Sequence, residues 1–371
     1  MARLSLMIPV DAADRRPTAL IQSLATKPDL DIEILVVSAS SSIEQDKDLA
    51  GLVAIDPRVR LFAPGTGLAS SLALWNAALM ETTGEWLSLV RPDDSFEPEA
   101  GRLADVIKSK VGTVDAIGWN ALQISPTAEP GNSNSIAIPT GFDPTPFDKT
   151  SILKSFFLWE GSWNAPKVPF GLSHAIVARP LALNIAETIR TSGRDHDMAQ
   201  WEWTARVSLI GESFVFCPRP LSVINVEPYR APDLYAMRPD LPFNASQGLT
   251  GGIAEIQHSL FAEMGASWGG AQENFIRAIT IDCMMEMDPE RFNAKCNGYY
   301  AGLRQWEGGK HANLFKPQFT GPRPLDRRRG LHGSTLMVDR HIGGAKTAQD
   351  FYQVVRNFLV PIGLLCGGKA V

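Results

Sequence analysis

Two adjacent carboxylates, Asp93 and Asp94, follow directly on a short apolar run. They lie in the segment Gly84-Glu-Trp-Leu-Ser-Leu-Val-Arg-Pro-Asp-Asp-Ser-Phe-Glu-Pro98. Strand-forming residues (Trp86, Leu87, Leu89, Val90) stop there and turn chemistry begins, so both acids are expected at the carboxyl edge of a buried strand. In open α/β sheets that edge is where ligands bind. Hard oxygen ligands at such a place suit Mg²⁺ or Mn²⁺ carrying a substrate's phosphates. The same segment also reads as an ordinary polar turn after a core strand.

A third acid of interest is Asp197, in Gly193-Arg-Asp-His-Asp-Met-Ala-Gln-Trp-Glu-Trp203. It opens a helix expected to run to about Ile210, whose N-terminus would favour the ionised carboxylate. A helix cap is the plainer reading of the same residue. Trp201 and Trp203 offer flat faces for a sugar ring, or anchor their helix in the core. Trp159 and Trp163 flank Gly and Pro in an apparent loop. Arg327, Arg328 and Arg329 could grip a diphosphate, but a solvated charge run explains them as well.

These residues need a scaffold, and the first hundred positions supply one. Strands are expected at Leu4–Ile8, Ile32–Val37, Val59–Phe62 and Trp86–Val90. Between them come a helix carrying Leu20, Ile21 and Leu24 after Pro17, and one carrying Leu68, Leu72, Trp75 and Leu79. Near-continuous apolar strands alternating with helices predict a doubly wound, mostly parallel sheet. Residues 125–150, rich in Pro, Ser, Asn, Thr and Gly, are expected to be one long irregular excursion. Regular structure returns at Ala175–Ala178 and at Ser213–Cys217. Helices are expected near 272–287 and 347–359, within a mainly helical C-terminal extension over 231–371.

Composition excludes several functions. A net charge of −5 argues against nucleic-acid binding, which calls for a basic surface. Cys217, Cys283, Cys296 and Cys366 form no CxxC pair, so neither a zinc site nor a disulfide framework is expected, and a reducing compartment is. The N-terminus has too short an apolar run for a secretory signal. No stretch approaches the roughly 20 apolar residues needed to span a bilayer. A cytoplasmic location is expected. The Phe358–Cys366 stretch is expected to be a buried tail, with peripheral contact at the membrane's inner face as the alternative.

Four segments in order carry a resemblance: Leu4-Ser-Leu-Met-Ile-Pro9-Val10; Glu33-Ile-Leu-Val-Val-Ser38; Trp75-Asn76 leading into Gly84-Glu-Trp and Arg91-Pro-Asp93-Asp94; and His196-Asp197 followed by Pro218-Arg-Pro-Leu221. The series resembles the family 2 glycosyltransferases of GT-A fold over about residues 1–225. Their pattern is an opening strand ending in Pro, "EIIVVDDGS", an Asn-bearing helix, Gly-Glu-Tyr, "LDADD", a distant "ED" and "PEPL". The resemblance implies a GT-A domain at 1–230. It implies an inverting, metal-dependent, hexosyltransferase-type reaction that moves a sugar from a nucleotide sugar, UDP-linked for preference, to a hydroxyl of a glycan, lipid-linked or protein acceptor. Polysaccharide biosynthesis is the commonest setting of relatives, and a homo-oligomer is compatible with it. On the same footing Asp93 holds Mn²⁺ or Mg²⁺, and Asp197 is the base that deprotonates the acceptor. Pro9, Val10, Ser38, Asn76, Arg91 and Asp94 contact the donor.

Three positions depart from the pattern. Ser38 stands where the family has an Asp accepting the base's ring N–H, which puts uridine selectivity in doubt because a hydroxyl accepts more weakly. Arg91 stands for the first Asp of "LDADD", where it could replace metal charge or form an ion pair with Asp94 that closes the site. His196 stands for the acid before Asp197. His332 and His341 are candidates for a further metal ligand. The departures motivate an alternative, a GT-A-like binding or assembly module without catalysis. A nucleotidyltransferase ranks last, because Asp11-Ala-Ala-Asp-Arg-Arg16 lacks the glycines of a phosphate loop.

Overall fold

The computed structural model describes the chain except residues 1–2, 11–16, 26–29, 41–42, 44–45, 65–70, 126–128, 130–131, 193–197, 228, 230, 233–239, 270–271, 323 and 366–371, and the side chains of 190–192. The N-terminal rhythm is as expected but for one added helix, α2: β1 (Leu4–Pro9), α1 (Thr18–Ala25), β2 (Ile32–Val37), α2 (Lys47–Ile55), β3 (Val59–Phe62), α3 (Ser71–Met80) and β4 (Trp86–Leu89). Every residue of β1, β2 and β4 is buried, as two covered faces require. There follow β5 (Ser95–Phe96), α4 (Ala100–Val111), β6 (Ala116–Trp119), β7 (Leu122–Ile124), β8 (Ile136–Pro139), β9 (Thr145–Phe147), α5 (Lys149–Phe157), β10 (Ala175–Ala178), α6 (Arg179–Ser192), α7 (Ala199–Ile210), β11 (Phe214–Cys217) and β12 (Ser222–Asn225). The rest is α8 (Leu249–Glu263), α9 (Gln272–Met284), α10 (Pro289–Gln305), β13 (Gly330–His332), β14 (Thr335–Val338), α11 (Ala348–Arg356) and α12 (Ile362–Leu365).

The main sheet has the order β3-β2-β1-β4-β10-β6-β11-β9. β3, β2, β1 and β4 are mutually parallel, β10 runs antiparallel to both its neighbours, and β6 and β11 are again parallel. Two small sheets, β5-β12-β7 and β13-β14-β8, complete the strands. Residues 125–150 therefore differ from expectation, since they contain β8 and β9. Both are short edge strands holding a proline, Pro139 and Pro146, and their partners are β14 and β11, far off in sequence. Edge strands tolerate proline, and three or four residues give no readable period.

A buried carboxylate fixes the start of the sheet. Glu33 on β2 accepts bonds from Ser5 Oγ and from the Thr83 amide at 2.8 Å, and pairs with Arg60. The Gly84 amide in turn donates to Ser5 Oγ at 2.8 Å. A Cβ on Gly84 would lie 2.5 Å from the Ser5 nitrogen, so only glycine lets β4 enter beside β1.

The chain forms two compact units. The first comprises residues 1–147, 169–227 and 325–371; the second, residues 148–168 and 228–324. Both units are discontinuous in sequence, and the region beyond residue 230 is mainly helical, as expected, with β13 and β14 between its helices. Residues 325–371 return to the first unit, with β14 pairing β8 and α11 covering Leu122, Ile124, Ile138 and Val223 through Phe351, Tyr352 and Val355. A capping box between Thr347 and Asp350 starts α11. Leu359 and Ile362 of the expected buried tail are buried, Phe358 and Leu364 are exposed, and Cys366 lies outside the described residues. The second unit is held by an aromatic core, in which Gln257 Oε1 accepts bonds from Trp159 Nε1 at 3.2 Å and Trp268 Nε1 at 3.0 Å. No helix among the described residues is long and apolar enough to cross a membrane.

Candidate functional site

Three parallel strands end together at the carboxyl edge of the first unit. β1 delivers Pro9 and Val10, β2 delivers Ser38, and β4 delivers Arg91-Pro-Asp-Asp94. The Val10 amide donates to Val37 O at 2.8 Å. Ser38 Oγ is buried, donates to Val10 O at 3.4 Å and accepts from the Ser40 amide at 3.1 Å. The Ser38 hydroxyl thus ties the ends of β1 and β2 together.

The two acids have separate surroundings. Asp94 is fully buried, 0% exposed, and is held on four sides. Arg91 reaches it bidentately, Nε to Oδ2 and an Nη to Oδ1, both at 3.0 Å. The Asn225 amide donates to Oδ1 at 2.8 Å, and His174 Nε2 lies 3.0 Å from Oδ2. Burial raises the Asp94 pKa, but the bonds from His174 and Arg91 outweigh it and leave the group below the ordinary carboxylate range. An ionised carboxylate only accepts, so His174 Nε2 carries the proton. Arg91 also donates to Asn225 O.

Asp93 is half-buried. Its main-chain oxygen accepts from Asn225 Nδ2, while its side-chain Oδ1 is buried with no hydrogen-bond partner. A buried carboxylate oxygen without a partner is costly unless a ligand completes it. A hard anionic oxygen at a strand edge is the donor type that Mg²⁺ and Mn²⁺ take, usually one or two protein carboxylates with phosphates and water filling the remaining positions. Among the described residues no cluster of three His, Cys, Asp or Glu side chains could hold a metal by itself. The residues present fit a cation shared with a bound phosphate, with Asp93 the protein's contribution.

Asn76, at the middle of α3, is buried with Oδ1 unpartnered. Asp197 and His196 lie outside the described residues, as does Leu68. Trp203 is a core anchor with no exposed surface, and Trp201 is partly buried. In the second unit Trp159 is wholly buried, whereas Trp163 is exposed with Lys167 over its ring at 5.1 Å. Arg328 pairs with Asp326 and Arg329 with Asp339, while Arg327 is exposed. His332 is exposed and bonds Arg329 O; the His341 backbone amide donates to Asp339 Oδ1 at 2.8 Å.

The sequence reading missed four supporting residues. His174 holds a left-handed backbone (φ 51°) just before β10, a conformation that costs a non-glycine residue roughly 1–2 kcal/mol. Asn225 ends β12 and clamps both acids. Gln349 of α11 donates Nε2 to Asp94 O at 2.7 Å. Arg219, in the Pro-Arg-Pro-Leu segment, meets Glu97 at 3.4 Å, and Glu97 also takes Arg356 at 3.0 Å and Tyr352 OH at 3.1 Å. Each contact spans dozens to hundreds of residues, and no local pattern signals it.

This architecture is an α/β fold of GT-A type, with a mostly parallel sheet, flanking helices and an acid turn after the fourth strand. It is similar to the fold of a crystallised fragment, residues 1–349, of TarS from S. aureus in complex with UDP-GlcNAc. The TM-score is 0.50 and the identity 12%, over 82% of this chain and 81% of that one. The same fragment with UDP superposes at TM-score 0.43 and 14% identity over 88% and 99% of the two chains. A mannosyltransferase from Pyrobaculum calidifontis, in complex with GDP-Man and Mn²⁺, gives 0.37 and 12% over 84% and 73%. No protein-family model and no curated protein matches the sequence. At these identities the likeness bears on fold alone.

Proposed function

We propose that the chain is a glycosyltransferase that moves a sugar from a nucleoside-diphosphate sugar to an acceptor hydroxyl with inversion. The observation that carries the reading is the buried, unpartnered Oδ1 of Asp93 at the carboxyl edge of β4. Asp93 is assigned the divalent cation, Mn²⁺ or Mg²⁺, which when bound offsets the charge developing on the leaving diphosphate. Asp94 is assigned a supporting role, because its oxygens are already bonded to Arg91, His174 and Asn225. Arg91 lends a positive charge beside the phosphates. Pro9, Val10 and Ser38 edge the place for the base, and Asn76 offers Oδ1 to the donor.

Asp197 is assigned the acceptor's proton. α7 feeds β11 through the short connection 211–213. A helix in that position runs against its strand, so its start faces the carboxyl edge, where a general base must reach the acceptor hydroxyl. The TarS fragment's UDP-GlcNAc directs the first donor screen to UDP-sugars.

Thermal shift with UDP, GDP, CMP and UDP-sugars, with and without Mn²⁺, tests the assignment. A ligand at about 100 times its Kd stabilises the fold by about 2.7 kcal/mol. A metal-dependent shift lost in Asp93→Ala is expected. Asp197→Asn should keep that shift and lose transfer. Full transfer in both variants would refute the site. The second reading, a binding module without catalysis, is favoured by the engagement of Asp94 with Arg91, and a chain that binds no nucleotide in any condition would establish it over the first.

A further inference from the structure

The first unit contains a cavity of about 770 Å³, set between β7, the edge of one small sheet, and β8, the edge of another. Its size is that of a site for a small organic ligand. Asn120, Gln123 and Asn132 line it, and among the described residues their side-chain amides have no hydrogen-bond partner. Each amide presents an acceptor and donors side by side, the pattern that matches a hydroxyl, which both gives and takes a hydrogen bond.

The charged side chains around the cavity already have hydrogen-bond partners. Arg340, which lines it, spends its guanidinium on Ser125 O and on Lys346 O at 3.0 Å. Arg329 and Arg328 face Asp339 and Asp326. Among the described residues no acidic side chain lines the cavity to attract a cation, and the guanidinium donors that an anion would need are taken by carbonyls, whereas the open amides suit a neutral molecule bearing several hydroxyls. The cavity wall also lies one residue along the chain from the clamp on the acid turn. Asn225 clamps Asp93 and Asp94, and the next residue, Val226, is part of the cavity wall and donates to Ile124 O at 2.8 Å.

We propose that this cavity binds a neutral polyhydroxylated molecule, a saccharide or polyol, as the acceptor-side subsite. The acceptor role rests on the glycosyltransferase reading; the binding itself does not.

Saturation-transfer NMR on the full chain tests it, with maltose, N,N′-diacetylchitobiose and sorbitol as probes. Two variants alter exposed lining residues: Ala137→Trp fills the cavity from β8, and Gln123→Leu removes an amide. The expected result is a signal from at least one probe, weakened tenfold or more in both variants, with the response to UDP and Mn²⁺ unchanged. Silence from all three probes overturns the proposal, as does a signal unaffected by both substitutions. Displacement of the probe by inorganic phosphate overturns the neutral-ligand assignment. Should Ala137→Trp fail to fold, Gln123→Leu decides alone. A saccharide signal that persists in a chain unable to bind any nucleotide supports the cavity and overturns only its acceptor role.

Discussion

Asp93 and Asp94 are neighbours with opposite energetics, and substitution should separate them. Asp93 leaves an oxygen without a partner, so Asp93→Ala relieves an unsatisfied group and should leave the melting temperature unchanged or higher. Asp94→Ala strips the partner from Arg91 and His174 in a buried place, a loss on the order of 3–5 kcal/mol. Urea unfolding of the two variants measures the contrast, and equal destabilisation would contradict the division of roles. The same residue scale sets the acid limit. Burial raises Glu33 and Asp94, but Ser5, Thr83 and Arg60 on one and His174 and Arg91 on the other more than reverse it, so both are lowered. Groups depressed in the folded state contribute stability above their unfolded pKa, near 4, and that contribution is lost as pH falls through the folded value. Stability should be level from neutrality to about pH 5 and fall below about pH 4. Glu33→Gln should lower stability at pH 7 and flatten the acid limb; an unchanged limb would remove Glu33 from the account.

At the level of elements, what was legible depended on whether the signal was local. β1 to β4 were readable because each is an apolar run with its helix beside it, and Gly84 marked the entry to β4 because a side chain there would strike β1. The acid turn was readable for the same reason. β8 and β9 were not, since edge strands of three or four residues gain their identity from partners far along the chain. α11 was readable as an amphipathic helix, but not its use. Its apolar side closes a core, and its Gln349 holds the main chain of Asp94. Gln349→Leu should therefore cost metal-dependent nucleotide affinity, by about tenfold if one hydrogen bond near 1.4 kcal/mol is lost. Calorimetric titration of UDP with Mn²⁺, run well below the thermal midpoint that the unpaired Asp94 carbonyl should lower, would read it. A variant with unchanged affinity would confine α11 to packing.

For the whole molecule, the return of residues 325–371 to the first unit makes the N-terminal 230 residues an incomplete domain. A chain ended there loses β14, the strand that pairs β8, and with it Phe351, Tyr352 and Val355 from the core around Leu122, Ile138 and Val223. It also loses the tyrosine and the arginine that face Glu97, which is 0% exposed, and the Val360 carbonyl that takes Arg219 Nε at 2.9 Å. Large apolar residues removed from a core cost about 2–5 kcal/mol each, and a stripped buried charge adds a comparable amount. The sum exceeds the roughly 5–15 kcal/mol by which domains are stable. Residues 1–230 expressed alone should therefore show no cooperative thermal transition and no response to UDP with Mn²⁺. Supplying residues 325–365 as a separate chain should restore part of both, because the lost contacts of the first unit named above lie within that stretch. A folded, nucleotide-binding 1–230 fragment would mean that the C-terminal segment is an attachment to the sheet and not part of its core.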